Sequence, residues 1–218
     1  MEVLLFDIET TSLDPFVETD NLEPRILVIC CMRSLEDRVT VIRGSEIEIL
    51  KKFMDILSES PEPVCTYNGY SFDIPFIIAR CLLNNVDPTP LLRKEHIDLY
   101  YVIKNWLRPR PKGKMNLKEM ARIFGVEHQD PLAGSSVIAI YRLFRETNDP
   151  KYFELIVEHC VSDVLTLRDL YKKLEKIVEF DYEKRFKKPV PKLSEEMEID
   201  VGEGGATEEG SGETEEHS

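Results

Sequence analysis

A short apolar run near the start of the chain ends in two acidic residues. Residues 3–6 are apolar at every position, the pattern of a central strand that is buried on both faces. Asp7 and Glu9 follow, and because side chains two apart on a strand share a face, both carboxylates project together. Unpaired, they would repel each other and lose solvation. The strand therefore either ends at a solvated sheet edge, with Asp7 capping the next turn, or holds a cation beside these acids.

The hydrophobic pattern predicts an α/β fold in which a sheet leads into helices. Strands are predicted at residues 26–32 and 39–42, which form a meander with the first strand, and at residues 63–67. Residues 10–25 are polar and hold two prolines, so we expect a loop there. Helices are predicted at residues 46–57, 73–83, 117–124 and 135–145, and from residue 152 into the 180s.

The charge of the chain is concentrated at its end. Of the net charge of −13, nine negative charges lie beyond Pro189, where there are ten acids and one lysine. Residues 189–218 are also poor in large apolar groups, so we expect an acidic disordered tail. The chain is 42% hydrophobic, enough for one folded domain over residues 1–188. The near balance of charge in that domain leaves room for a local basic stripe that could face phosphates.

The cysteines predict neither a disulfide framework nor a zinc site. There are five, none in a C-x-x-C pair, and they lie in apolar runs. No signal peptide or transmembrane stretch is recognisable, so we expect a cytoplasmic protein with buried thiols. The chain is 32% charged with a single glutamine, a bias typical of proteins from thermophiles.

Three further residues combine acidity with an unusual position. Asp163 lies on the apolar stripe of the long predicted helix, and His159, four residues earlier, lies on the same face. We expect both to point where this helix meets the sheet. The alternative is a buried Asp–His pair that only anchors the helix. Asp73 opens another predicted helix, where a carboxylate is commonly a cap and can also be a ligand.

Three segments together resemble a known family. They are residues 6–11 (Phe-Asp-Ile-Glu-Thr-Thr), 68–73 (Asn-Gly-Tyr-Ser-Phe-Asp) and 159–163 (His-Cys-Val-Ser-Asp). In order and placement they resemble the DEDD 3′–5′ exonucleases of the ribonuclease-H-like fold. The chain is most similar to the branch with the proofreading domains of family B DNA polymerases and stand-alone archaeal single-strand exonucleases. Residues 97–99 and 117–125 also resemble that branch, and the likeness implies a mixed sheet, an antiparallel meander plus parallel strands, flanked by helices.

The resemblance implies a metal-dependent exonuclease. Position by position, Asp7, Glu9, Asp73 and Asp163 match the metal ligands of the family. Hard oxygen ligands favour Mg²⁺ or Mn²⁺, and two ions suit a mechanism in which water attacks the last phosphodiester and releases a 5′-mononucleotide. The chain departs from the family at one place: His159 occupies the slot where this branch usually has tyrosine. An imidazole accepts a proton at neutral pH more readily than a phenol, so His159 is the expected general base.

Other residues are candidates for contact with the substrate. The residues that follow the first strand and those that precede Asp73 could contact the terminal nucleotide or splayed bases. A basic loop beside Trp106 could bind phosphates of the backbone. The alternatives are ordinary turn residues, a core phenylalanine and a solvated loop. The candidates are Thr10, Thr11, Ser12, Leu13, Asn68 and Phe72, and the loop residues Arg108, Arg110, Lys112 and Lys114.

Several functions of this fold remain open from the sequence. Single-stranded DNA is expected from the likeness to proofreading domains, with RNA possible because pocket shape decides between them. The rivals are an RNA-directed exonuclease, a structure-specific endonuclease and a non-catalytic nucleic-acid-binding module. The order Asp-x-Glu, Asp, Asp argues against the endonuclease, and a binding module would be expected to lack one carboxylate. A homo-oligomer such as a trimer could enclose the strand.

Overall fold

A mixed sheet of five strands forms the centre of the fold. The meander strands β1, β2 and β3 are antiparallel, while β4 and β5 run parallel to β1, in the order β3-β2-β1-β4-β5. This arrangement confirms the predicted mixed sheet. The strands are β1 (Leu4–Thr10), β2 (Ile26–Arg33), β3 (Thr40–Arg43), β4 (Val64–Thr66) and β5 (His96–Asp98).

Seven helices are found in the part of the chain that the structure describes. This computed structural model describes residues 1–19, 21–108, 115–128, 130 and 136–186. The acidic tail predicted at 189–218 lies outside these ranges, as do Arg110, Lys112 and Lys114. The helices are α1 (Glu46–Glu59), α2 (Asp73–Leu83), α3 (Thr89–Leu92), α4 (Leu99–Val102), α5 (Leu117–Phe124), α6 (Val137–Thr147) and α7 (Pro150–Phe186). A π-helical turn, Ile103–Leu107, continues α4. None of the described helices combines the length and apolar character needed to cross a membrane.

The two faces of the sheet belong to different hydrophobic cores. Leu5 is buried in the core that contains much of α7, whereas Leu4 and Phe6 are buried in the core beneath α1 and α2. Because side chains alternate along a strand, the first three residues of β1, Leu4, Leu5 and Phe6, must all be apolar to serve both cores. Asp7 and Glu9 have the same parity as Leu5, so they lie on the face that meets α7.

The long helix α7 runs along β1 in the opposite direction. The Cys160 thiol lies 3.5 Å from the backbone oxygen of Asp7, and further along the helix the Tyr171 hydroxyl donates to the backbone oxygen of Met1 over 2.6 Å. These two contacts fix the register of the helix on the strand. They place His159 and Asp163 beside the carboxyl end of β1.

Candidate active site

The first two acids of the site lie against α7, with Glu9 buried and Asp7 half-buried. Glu9 is only 8% exposed, and a β-bulge shifts the pairing of β1 with β2 directly after it. Such a bulge re-aims the strand at its end. Burial raises the pKa of both Asp7 and Glu9 well above their ordinary values, and the charges of Asp73 and Asp163 raise them further. Both carboxylates therefore meet acidic neighbours from other elements.

Asp73 reaches the same place from the first turn of α2. It is 5% exposed, and burial raises the pKa of its carboxyl to about 7, although the backbone N–H of Ile8 stabilises the charged form. That backbone contact ties Asp73 to β1. Phe72 precedes the helix at its cap position and makes no capping hydrogen bond with its side chain. Asp73 is thus placed against the strand that carries Asp7 and Glu9.

A tight loop, residues 68–70, delivers Asp73 to the site. The Asp98 carboxylate, at the end of β5, accepts the backbone N–H groups of Asn68 (2.7 Å) and Tyr70 (3.1 Å). Gly69 leaves no room for a side chain, because a Cβ there would lie 2.1 Å from Thr66 Oγ1. The loop is held by these contacts, so Asp98 has a structural role next to the site.

His159 and Asp163 complete the arrangement from α7. His159 Nε2 lies 3.4 Å from Glu9 Oε1 and 4.0 Å from Asp163 Oδ2, so the imidazole faces two of the acids. His159 is 3% exposed. Burial raises the pKa of Asp163, while the nearby imidazoles of His159 and His128 lower it. The predicted common helix face of His159 and Asp163 is present.

The arrangement has the chemistry of a divalent cation site. Asp7, Glu9 and Asp73 form no ion pair with a lysine or arginine among the residues that the structure describes. One oxygen of Glu9, one nitrogen of His159 and one oxygen of Asp163 lie within 4.8 Å of one another. The Cys160 thiol lies within 4.8 Å of an oxygen of Asp7 and of Glu9, and burial raises its pKa well above its ordinary value, which disfavours the thiolate that binds metals. The remaining donors are mainly carboxylate oxygens, which suit Mg²⁺ or Mn²⁺.

Two residues near the site were absent from the sequence prediction. Asp130 Oδ2 contacts His159 Nδ1, on the side of the ring away from Glu9. His128 Nδ1 lies 2.9 Å from Thr166 Oγ1 and 4.0 Å from Asp163 Oδ1. Both residues belong to a polar segment after α5 that has no periodic pattern. A histidine and an aspartate two apart were the only signal available, and nothing in their spacing linked them to α7.

The residues after β1 differ in their availability to a substrate. Thr10, Thr11 and Ser12 are buried, and their hydroxyls donate to the backbone oxygens of Ser12, Glu23 and Val17 respectively. These bonds shape the loop that follows the strand, which favours the turn interpretation for the three residues. Leu13 is 75% exposed at the surface of that loop. Of this group, Leu13 is the side chain free to contact a base.

The remaining substrate candidates lie at the loop before Asp73 and at the end of the π-helical turn. Asn68 is half-buried with a positive φ of 61°, as the tight loop requires. Phe72 is also half-buried, with its ring centre 5.6 Å from that of Phe76. Arg108 is exposed and adopts the left-handed conformation at the end of the turn. Its basic neighbours lie outside the described residues.

Comparison with known proteins gives one family and a set of shared folds. A family model described as the RNase H superfamily matches residues 4–175. A DNA polymerase from Pyrococcus glycovorans is 23% identical over 191 residues, which cover 67% of this chain and 25% of the polymerase. The chain thus spans about a quarter of the length of that relative.

Two of the solved structures that share the fold illustrate the likeness. The family B DNA polymerase from Pyrobaculum calidifontis aligns with a TM-score of 0.63 and 22% identity over 80% of this chain and 24% of the polymerase. Exonuclease I from E. coli, in complex with a dT13 oligonucleotide, aligns with a TM-score of 0.56 and 16% identity over 83% of this chain and 43% of that chain. At these identities the likeness is one of fold.

Proposed function

The chain belongs to the RNase H superfamily, and from this premise we propose that it is a metal-dependent 3′–5′ exonuclease acting on single-stranded DNA. One observation carries the proposal. Asp7, Glu9, Asp73 and Asp163 come from three elements, and the charges of Asp73 and Asp163 raise the pKa of both Asp7 and Glu9. Carboxylates that repel one another, and that form no ion pair with a lysine or arginine among the described residues, need a cation or hydrogen-bond donors for compensation.

The four carboxylates would hold Mg²⁺ or Mn²⁺. Two such ions would lower the pKa of an attacking water and stabilise the leaving 3′ oxygen. Asp7 and Glu9 are fixed by the central strand and Asp73 by the loop on Asp98, so these ligands lie on rigid elements. Rigid placement reduces the reorganisation needed when charge develops on the phosphate. The product would be a 5′-mononucleotide.

His159 would receive the proton of the attacking water. A carboxylate can only accept a hydrogen bond, so the contact with Asp130 assigns the ring proton to Nδ1. In the neutral imidazole, Nε2 is then the nitrogen with the free lone pair, and it faces Glu9 and Asp163. A base with a free lone pair at this position can orient the water or accept its proton. The imidazole in place of the expected tyrosine is therefore competent for the role.

Single-stranded DNA is the substrate that the comparisons support best. Exonuclease I of E. coli, which shares the fold, was solved with a dT13 oligonucleotide, and one relative in sequence and one in fold are DNA polymerases. In this chain the exposed Leu13 lies three residues after the end of β1 and could pack on a terminal base. The five cysteines are free and buried, which supports a reducing compartment such as the cytoplasm.

A labelling experiment tests the direction and the chemistry. Single-stranded and double-stranded DNA and RNA, labelled at either end, are incubated with Mg²⁺ or Mn²⁺, with Asp163→Ala as the inactive control. We expect 5′-labelled single-stranded DNA to shorten as a ladder and 3′-labelled DNA to release its label as a mononucleotide at once. Internal cuts, or shortening from the 5′ end, would overturn the proposal. Faster degradation of RNA would change the substrate and leave the direction intact.

A further inference from the structure

A strip of aromatic and cationic side chains lies beside β5, outside the carboxylate site. We define this aromatic–cationic strip by its members, which are Tyr70, Tyr101, Lys104, Trp106, Lys184 and Arg185. They come from the loop before Asp73, from α4 and its π-helical turn, and from the last turns of α7. Tyr70 is 40% exposed and Trp106 is 37% exposed. The chain has a net charge of −13, yet these large exposed rings lie next to cations. Such a surface is unusual enough to indicate a binding role.

The half of the strip near the site is built on two tyrosines. The ring centres of Tyr70 and Tyr101 lie 5.9 Å apart, and Lys104 Nζ lies 5.7 Å from the Tyr101 ring. The Tyr101 hydroxyl also lies 3.4 Å from Ser71 Oγ, two residues before Asp73. The strip thus begins at the loop that positions one of the proposed metal ligands.

The half of the strip that lies on α7 is continuous with the half built on the two tyrosines. Arg185 Nη2 donates to the Tyr70 hydroxyl over 3.0 Å. Arg185 also contacts Asp181, which accepts the Trp106 indole N–H over 2.6 Å. Lys184 Nζ lies 4.7 Å from the centre of the Trp106 ring. Each member contacts the next, with Asp181 joining Arg185 to Trp106, so the six residues form one surface.

The charge of the strip is positive. Asp181 is 7% exposed and is held by the Trp106 N–H and by Arg185, so its charge is balanced inside the strip. Within the ranges that the structure describes, Lys104 and Lys184 lie over rings and form no ion pair with a carboxylate. Their ammonium groups are exposed and available to an anionic partner.

Single-stranded nucleic acid has the chemistry that this surface recognises. Bases stack on aromatic rings, phosphates attract lysine and arginine, and both features recur where proteins bind single strands without sequence preference. The strip also leads away from Asp73, which would hold the 3′ end. We propose that it binds the nucleotides upstream of the 3′ end and guides the strand into the site. This inference rests on the proposed function, whose substrate path it specifies.

Charge reversal of the two exposed lysines tests the strip. The variant is Lys104→Glu/Lys184→Glu, and the matched control is Lys51→Glu/Lys52→Glu on α1, which packs on the other face of the sheet. Binding of 5′-fluorescein dT5 and dT25 is measured by anisotropy in EDTA, where no hydrolysis occurs. We expect the Kd of the strip variant for dT25 to rise about tenfold or more and its Kd for dT5 to change by less than about twofold. The salt dependence for dT25 should fall by about 1.4 in log–log slope, as for two lost phosphate contacts.

Substitution of Trp106 gives a second, uncharged test. Trp106→Phe keeps a ring for stacking, whereas Trp106→Ala removes it, so only the alanine variant should weaken binding of dT25. Melting curves by circular dichroism identify any variant that is unfolded. If a Trp106 variant is unfolded, the conclusion depends on the lysine variant. If the lysine variant binds dT25 with the same Kd as the wild type, the proposed role of the strip is wrong, whether or not a protein partner binds there.

The outcome separates the strip from the catalytic proposal. Equal weakening for dT5 and dT25 would show a general charge effect and would also overturn the strip. A wild-type protein that binds dT25 through the strip and hydrolyses nothing in Mn²⁺ would contradict the proposed function while supporting the strip. Under turnover, the strip variant should show a higher KM for dT25 with an unchanged kcat, because the lysines do not touch the reacting atoms.

Discussion

The imidazole of His159 has a different partner on each of its nitrogens. Nδ1 meets Asp130, and Nε2 faces Glu9 and Asp163. A ring held from one side presents its other nitrogen in a fixed direction, which is how carboxylates orient catalytic and metal-bound histidines elsewhere. Asp130 is therefore a positioning residue for the proposed reaction.

We expect Asp130→Asn to lower kcat by about 10-fold to 100-fold with little change in KM, because the amide can reverse the tautomer of His159. Steady-state kinetics on a single-stranded oligonucleotide measures both constants. Asp130→Glu, which restores a carboxylate, should recover part of kcat. Equal activity of the asparagine variant and the wild type would remove Asp130 from the mechanism.

At the scale of elements, local sequence patterns were sufficient to predict long segments and insufficient to predict the direction and position of short ones. The helix α7 was predicted because its apolar stripe repeats over many turns, and β1 because its short run is apolar at every position. The parallel strands have three residues each, too few for a period: a strand was predicted at residues 63–67, where β4 lies, but none at β5, and parallel pairing was implied only by the family resemblance. The same holds for Asp73, whose place beside β1 depends on the loop fixed by Asp98. The Asp130–His159 contact joins residues 29 apart, and no local pattern encodes it.

The loop that delivers Asp73 should be sensitive to one methyl group. In Gly69→Ala the new Cβ would clash with Thr66, so the backbone must move. We expect the free energy of unfolding to fall by about 1–3 kcal/mol and the activity to fall with it, since Asp73 is displaced. Urea unfolding and the nuclease assay measure the two effects.

Gly125→Ala is the control for that substitution. A Cβ at Gly125 meets nothing within 4 Å, and its cost comes from the positive φ of 66° alone. Its stability should fall by about 1 kcal/mol with activity retained. A Gly69→Ala variant with the stability and activity of the wild type would show that the loop does not position Asp73.

At the scale of the whole molecule, we expect the acidic cluster to make stability depend on pH and on metal. Burial raises the folded-state pKa of Asp73 to about 7, above its ordinary value of 3.8, and it raises those of Asp7, Glu9 and Asp163 too. For acids with a raised pKa, folding is favoured while they are protonated. That contribution is fully present below the unfolded pKa and is lost as the pH rises through the folded pKa.

The metal-free protein should therefore lose thermal stability as the pH rises from about 4 to above 7. Adding Mn²⁺ above pH 7 should restore it, because an ion that binds only the folded state raises Tm. Differential scanning calorimetry in EDTA and in Mn²⁺ measures both effects. In Asp7→Asn the loss with pH in EDTA should be smaller, since one acid is removed. A Tm that is independent of pH over this range, or of Mn²⁺, would contradict a shared cation site.

The main proposal is that a metal held by the four carboxylates enables the protein to remove the 3′-terminal nucleotide. One initial rate tests this proposal most directly. This is the release of labelled mononucleotide from 3′-labelled single-stranded DNA, measured against Mn²⁺ concentration for the wild type and for Asp163→Asn. We predict a wild-type rate that rises and saturates with Mn²⁺, disappears in EDTA, and falls by at least about 10²-fold in the variant. Release in EDTA, or an equal rate in the variant, would contradict the carboxylate mechanism.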